Sequence, residues 1–160
     1  MNIRPAEPKD RQRICEILSA CMLFTEEEVE CAVELVDIFH DAKHPERNDY
    51  PTAVVEDEGR VQGYVTWGPT PLTDGVYDLY WIAVDPKQQG RGYGQVLLRH
   101  VEDQVRERSG RMLLIETSSK NSYSSTTRFY ERAGYQEISR IKDFYRIDDD
   151  KLVYSKRLTP

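Results

Sequence analysis

Between Val84 and Leu98 the chain passes through three characters within fifteen residues, and few folds accommodate that. Val76 to Val84 is rich in aromatic and β-branched residues and reads as a strand, which Pro86 ends. Gln89-Gly90-Arg91-Gly92-Tyr93-Gly94 then forms a turn with glycine at alternate positions. From Gln95 onward Val96, Leu97, Val101 and Val105 recur at helical spacing, up to about Ser109. Glycines tolerate positive φ and let a ligand approach the backbone. Successive N–H groups at the positive end of a helix dipole suit a phosphate. The turn is therefore expected to cradle a pyrophosphate.

Around it, the chain alternates between the two periodicities. Asn2 to Pro5 is a short strand. Ile14, Ile17, Leu18 and Cys21 share one helical face, and Val29, Ala32, Val33, Val36 and Phe39 share another. Thr25-Glu26-Glu27-Glu28 is a capping box opening that second helix. Ala42 to Pro51 is a loop. Thr52–Glu56 and Val61–Trp67 flank the turn residues Asp57-Glu58-Gly59-Arg60, a hairpin. Met112-Leu113-Leu114-Ile115 suits a strand buried on both faces. Ser119 to Ser125 is a polar loop, Thr126 to Ala133 a short helix stopped by Gly134, and Tyr135–Ile147 with Lys151–Leu158 a terminal hairpin around Asp148-Asp149-Asp150. This order predicts one α/β domain over residues 1–160, a mixed twisted sheet with helices on both faces.

Charge and cysteine content narrow the function. A net charge of −6 argues against general nucleic-acid binding, which needs a basic face, so any phosphate site must be local. Cys15, Cys21 and Cys31 are odd in number and lack CxxC spacing, which gives neither a disulfide framework nor a zinc site. His40, His44 and His100 are scattered, and no metal is expected. No apolar run approaches membrane-spanning length and no signal peptide opens the chain, so a cytoplasmic location without membrane contact is the expectation. The turn lacks the GxGxxG spacing of a dinucleotide fold and the lysine of a P-loop.

Two motifs in order carry a family resemblance. Gln89-Gly90-Arg91-Gly92-Tyr93-Gly94, after Ala83-Val84-Asp85-Pro86, matches the [Q/R]-x-x-G-x-[G/A] signature of the GNAT superfamily of N-acetyltransferases. Phe129-Tyr130-Glu131-Arg132-Ala133-Gly134-Tyr135 matches the family's helix with a tyrosine shortly before a glycine and an aromatic. The resemblance is strong from Asp78 to Tyr135. It implies a GNAT-like fold, a mostly antiparallel sheet of about seven strands with splayed central strands and about four helices. It implies acetyl-CoA as cofactor, its pyrophosphate held by the backbone of Gln89, Gly90, Arg91, Gly92, Tyr93, Gly94 and Gln95. Gly92 and Gly94 would let the helix start approach the phosphates. The pantetheine arm would pair like a strand with Ile82, Ala83 and Val84, and the Ile82 N–H would stabilise the oxyanion. The family's asparagine seven residues before its tyrosine is here Tyr123, so Asn121 or Ser124 (with Ser125 beside it) would supply that contact, or none.

The resemblance implies transfer of an acetyl group to a primary amine of a small molecule, peptide or protein, by direct attack in a ternary complex. Tyr130 matches the general acid for the departing sulfur. Asp78, placed by strand alternation on the face of Tyr80, Ile82 and Val84, and Glu116 on the next strand are candidate bases. The acceptor would enter between the loop of the first two helices and the terminal hairpin. There Glu26, Glu27, Glu28 and Glu30 face Asp143, Phe144, Tyr145, Asp148, Asp149 and Asp150, groups suited to a cationic amine. Tyr145 and Tyr80 are the candidate acceptor contacts. Members are often homodimers. The alternative is a non-catalytic acyl-CoA-binding sensor, which would keep the glycine turn yet dispense with Tyr130 and a carboxylate.

Overall fold

Alternation of buried side chains assigns the central strands two working faces. In Thr52–Asp57 (β2) Val54 points to one layer and Ala53 and Val55 to the other; in Arg60–Pro69 (β3) Tyr64 and Val65 divide likewise. The computed structural model describes residues 1–158, and these strands belong to a seven-stranded sheet. The remaining strands are Asn2–Pro5 (β1), Val76–Val84 (β4), Met112–Ser118 (β5), Gln136–Arg146 (β6) and Asp149–Arg157 (β7), and the spatial order is β1-β2-β3-β4-β5-β7-β6. Every neighbouring pair is antiparallel except β4 and β5.

Arg11–Ala20 (α1) and Glu26–His40 (α2) cover one face, where Ile14, Ile17, Leu18, Ala32 and Val36 pack on Val54, Tyr64 and Ala83. Tyr93–Glu107 (α3) and Ser124–Arg132 (α4) belong to the other face. There Leu97, Leu98, Val101 and Val105 meet Val65, Leu79, Leu113 and Ile115. Burial of such aliphatic side chains contributes about 1.5–3 kcal/mol each, the main favourable term holding the layers together. The predicted fold class is observed: a mixed sheet of seven strands and four helices. α4 begins at Ser124, two residues earlier than its apolar pattern suggested, and a single 3-10 turn, Asn121–Tyr123, precedes it.

Two irregularities set up the centre of the molecule. In β3–β4, Thr66 lies opposite Trp81 and Trp67 opposite Leu79, so Tyr80 is an extra residue on β4, a β-bulge. In β4–β5, pairing runs only from Val76↔Met112 to Leu79↔Ile115, although β4 continues to Val84 and β5 to Ser118. The two central strands therefore part just past the bulge. Among the described residues, no helix is long and apolar enough to cross a membrane, and no group of three or more His, Cys, Asp or Glu side chains gathers as a metal site would.

Candidate active site

The gap between β4 and β5 has polar backbone on its wall. The Asp85 N–H donates to the Gln62 carbonyl of β3 at 2.8 Å. Strand alternation then turns the N–H and C=O groups of Ile82 and Val84 away from β3, into the gap. These groups are free to pair with an extended ligand, as an added strand would. Predicted for cofactor pairing, Ile82 and Val84 are therefore placed to do it, whereas the main chain of Ala83 belongs to β3.

At the end of β4 the chain is braced before it enters the glycine turn. The Asp85 carboxylate accepts the Lys87 N–H at 2.9 Å and a bond from Arg13 of α1, whose Nε donates to the Val61 carbonyl at 3.1 Å. Burial alone would raise the Asp85 carboxyl, but the Lys87 N–H and Arg13 outweigh it and hold it below the usual range. Gly90 and Gly92 follow with φ of +80° and +88°, and a Cβ at either would meet nothing within 4 Å. Their glycine requirement is thus conformational, not steric. Gly94 has no such conformational requirement. It lies within α3 at ordinary φ, and its bare Cα faces the Phe129 ring, 3.5 Å from where a Cβ would sit. It serves contact between α3 and α4.

Gly92 caps α3 without any side-chain acceptor, and the first turn holds no acid. The opening N–H groups of a helix have no partner within it, so those of Tyr93, Gly94 and Gln95 are left as donors at the dipole's positive end. The side chains nearby are engaged elsewhere. The buried Tyr93 donates its hydroxyl to Asp57 at 2.7 Å, and Arg91 donates to the Gln88 side chain at 2.6 Å. Backbone amides, the bare glycines and the adjoining gap together fit a diphosphate carrying an extended arm.

The candidate catalytic side chains lie in opposite layers. Leu79 packs with the α3–α4 layer, and so do Ile82 and Val84, whereas Trp81 and Ala83 pack with the α1–α2 layer. The bulge at Tyr80 reverses the alternation between them. Asp78 therefore shares a face with Tyr80 but not with Ile82 and Val84, contrary to the even spacing read from the sequence. Asp78 Oδ2 accepts the Thr70 hydroxyl at 2.6 Å. Burial pushes its carboxyl up and Glu116 adds to the rise, while the Thr70 bond and Lys151 act against it. Glu116, the other candidate, is half-exposed and ion-paired to Lys151 at 2.9 Å.

Tyr130 lies in the opposite layer, 3 % exposed, among Phe129, Tyr135 and Tyr154. Burial alone raises its phenol, so it keeps its proton.

On the Asp78 side, aromatic groups surround the mouth. Tyr50, which the sequence reading missed, stands 5.5 Å from the Tyr80 ring, and burial pushes the Tyr80 hydroxyl up to about 12. Tyr145 is partly exposed on the bulged segment of β6, and its hydroxyl is raised by burial, with Glu116, Asp149 and Glu28 adding. Beside it Lys151 Nζ sits 4.7 Å from the Phe144 ring centroid. No sequence signal marks Tyr50 or Thr70. Both stand in aperiodic, proline-containing loops.

Four of the eight acidic groups expected to receive a cationic acceptor are engaged internally. Asp149 is 4 % exposed and bonded to the Ser118 hydroxyl, with Lys120 Nζ at 3.5 Å. Asp150 accepts the Asp143 N–H at 3.0 Å and Arg140 at 3.3 Å, and the Asp143 carboxylate accepts the Asp148 N–H at 2.8 Å. The hairpin turn falls at Ile147-Asp148, with Asp149 already in β7. Glu28 accepts the Thr25 N–H at 2.7 Å. Asn121 and Ser124 line a separate groove of about 220 Å³ with Thr127, Glu131, Arg140 and Tyr154. Tyr123, in the family asparagine's place, donates its hydroxyl to the Leu23 carbonyl at 3.0 Å, tying α4's start to the α1–α2 loop.

Comparison with known proteins agrees with this geometry. The model of the acetyltransferase (GNAT) family matches residues 11–135. A chain from Desulfovibrio desulfuricans assigned to the GNAT family superposes with a TM-score of 0.93 and 39% identity, covering 99% of both chains. Among curated proteins, the S-(2-succino)cysteine N-acetyltransferase of Bacillus subtilis is 29% identical over 51% of this chain and 52% of its own length. The [ribosomal protein bS18]-alanine N-acetyltransferase of Escherichia coli is 32% identical over 46% and 48%. The chain thus spans about half the length of these curated relatives. An aminoglycoside 6'-N-acetyltransferase complexed with coenzyme A shares the fold, with a TM-score of 0.77 at 16% identity over 100% of this chain and 98% of that one. The cradle, the bulge and the parted strands thus sit in a chain that belongs to the GNAT family of acetyltransferases.

Proposed function

We propose that this protein is an acetyl-CoA-dependent N-acetyltransferase acting on a primary amine. When bound, acetyl-CoA supplies an acetyl group activated as a thioester. The observation that carries the reading is the gap opening past Leu79 and Ile115, walled by the free main chain of Ile82 and Val84, with the uncapped start of α3 at its end.

The chain's own groups divide the work. The first-turn amides of α3 and the turn at Gly90–Gly92 hold the diphosphate. The Ile82 N–H points into the gap, where it donates to the developing oxyanion. Asp78 takes the proton of the acceptor ammonium, directly or through one water, and Thr70 orients it. Its desolvated carboxylate is a stronger base than an exposed aspartate, and among the described residues no cation lies within ion-pair distance of it, Lys151 acting only from farther away. Glu116, neutralised by Lys151, is better suited to position than to accept a proton. From the α3–α4 layer the Tyr130 phenol donates its proton to the leaving sulfur. Tyr50, Tyr80 and Tyr145 with Asp78 favour a cationic amine bordered by apolar surface.

Steady-state kinetics with an amine panel tests this. Asp78→Asn should lower kcat/KM by about 10²–10⁴-fold, the range for a positioned base, with coenzyme affinity intact. Tyr130→Phe should lower kcat by a similar order. A carboxyl raised in the folded enzyme puts the acid limb of kcat/KM above the ordinary aspartate range near 4, and Asp78→Asn should remove that limb. Wild-type rates in both variants, or no acetyl transfer to any amine, would refute the assignment.

A further inference from the structure

The connection between α1 and α2, Cys21 to Thr25, runs across the gap in the sheet. Two of its contacts are on β4. Cys21 Sγ donates to the Val84 carbonyl at 3.6 Å, a weak bond that leaves that oxygen a second lone pair for a ligand. The Phe24 ring meets Trp81 edge-on, with centroids 5.3 Å apart. Trp81 and Val84 bracket Ile82, the residue whose N–H faces the developing oxyanion.

The third contact is on the far side of the gap. The Leu23 carbonyl accepts the Tyr123 hydroxyl at 3.0 Å, and Tyr123 ends the 3-10 turn that follows β5. Among the described residues it is the one hydrogen bond joining α1, α2 or their connection to the β5–β7 half of the sheet. Burial pushes the Tyr123 hydroxyl up to about 12, with Glu28, Asp149 and Tyr145 adding, so it stays a donor at neutral pH. Between these contacts Met22 stands at φ +54° with its side chain in solvent. A non-glycine residue in that region is disfavoured and persists where its surroundings hold it. The connection is therefore held from both parted strands at once.

We propose that Tyr123 is a positioning residue whose hydroxyl latches the α1–α2 connection over the gap and so keeps water from the thioester lying along Ile82. The inference rests on the acetyltransferase reading and adds a reason for the bridge. With the latch open, water attacks the thioester carbon, the carbon–sulfur bond breaks, the sulfur takes a proton from that water, and acetic acid leaves. With it closed, the amine is the nucleophile that reaches the carbon.

Tyr123→Phe removes the hydroxyl and keeps the ring, and two measurements on the full chain test it. Amide hydrogen exchange across residues 22–24 should quicken about fivefold, the change in open population that one net hydrogen bond commands, while α3 and α4 keep their rates. Thiol release from acetyl-CoA without amine should rise by a similar factor, and acetylated amine formed per thiol released should fall below the wild-type ratio. Exchange that quickens throughout the chain with an unchanged product ratio would make the hydroxyl merely structural and overturn the latch. Unchanged exchange at residues 22–24 would overturn it as well. Wild type that acetylates no amine would overturn the acetyltransferase reading and the sealing role with it, and the exchange rates would still report whether the bond holds the connection.

Discussion

α2 and α3 are equally long, fifteen residues each, yet their N-termini are finished in opposite ways. At α2 the chain answers its own dipole. Thr25 Oγ1 accepts the Glu28 N–H at 3.2 Å, Glu28 accepts the Thr25 N–H at 2.7 Å, and Glu26 and Glu27 add negative charge in the same turn. At α3 the cap is Gly92 in the left-handed region, with no side-chain acceptor and no acid in the first turn. A cap contributes about 1 kcal/mol of stability. α3 forgoes that contribution and is held instead by its apolar stripe, Leu97, Leu98, Val101 and Val105. The contrast teaches where to look for a ligand. A helix start finished from within is scaffold; one left unfinished beside a gap in the sheet is reserved for something that arrives.

Changing the conformation of the open end should have the largest effect. Gly92→Val forces a β-branched residue to φ +88°, a strain of about 1–2 kcal/mol or more, and turns the cradle's amides out of register. Coenzyme affinity should fall at least about 100-fold by calorimetry, since several charge-assisted bonds are lost together. Retained affinity would mean that the turn does not hold the diphosphate. A milder change makes α3 resemble α2. Gln95→Glu places a carboxylate at the third helical position, where Glu28 stands in α2. It should stabilise the helix by about 0.3–1 kcal/mol in thermal unfolding and weaken coenzyme binding by about tenfold through repulsion. Both effects should shrink with added salt. A gain in stability with no loss of binding would place the ligand elsewhere.

The two helix starts were also unequally legible in the sequence. Thr25-Glu26-Glu27-Glu28 is a local code, and its side chains form the bonds that the spacing predicted. The glycine turn is recognisable too, but only Gly90 and Gly92 adopt positive φ, while Gly94 lies inside α3 with room for a Cβ at ordinary contact distance from Phe129. That distinction is tertiary. The same holds for β4. Val76 to Val84 was correctly read as a strand, yet nothing in a run of aromatic and branched residues announces that Tyr80 is an extra residue, because a bulge is defined by the partner strand. Even spacing therefore puts Asp78 on the face of Ile82, and the bulge puts it on the other. Asp149 is hard to read for the converse reason. Three consecutive aspartates look like a solvated turn until Ser118 and Lys120, from a non-adjacent segment, bury the middle one.

The smallest prediction completes the comparison from the closed side. Thr25→Ala removes the hydroxyl that accepts the Glu28 N–H and should cost about 1 kcal/mol in chemical denaturation, a cost confined to the α1–α2 layer. Coenzyme affinity should not change, because the cradle belongs to the opposite layer and is braced to α1 through Arg13 and Asp85, not through α2. The KM for the amine is the sensitive readout, since α2's start follows the loop whose Leu23 carbonyl holds Tyr123. A shift there without a shift in coenzyme binding would show α2's start acting on the acceptor side alone. A parallel loss of coenzyme affinity would instead mean that the two layers are coupled across the sheet, and that a finished helix start can still tune an unfinished one.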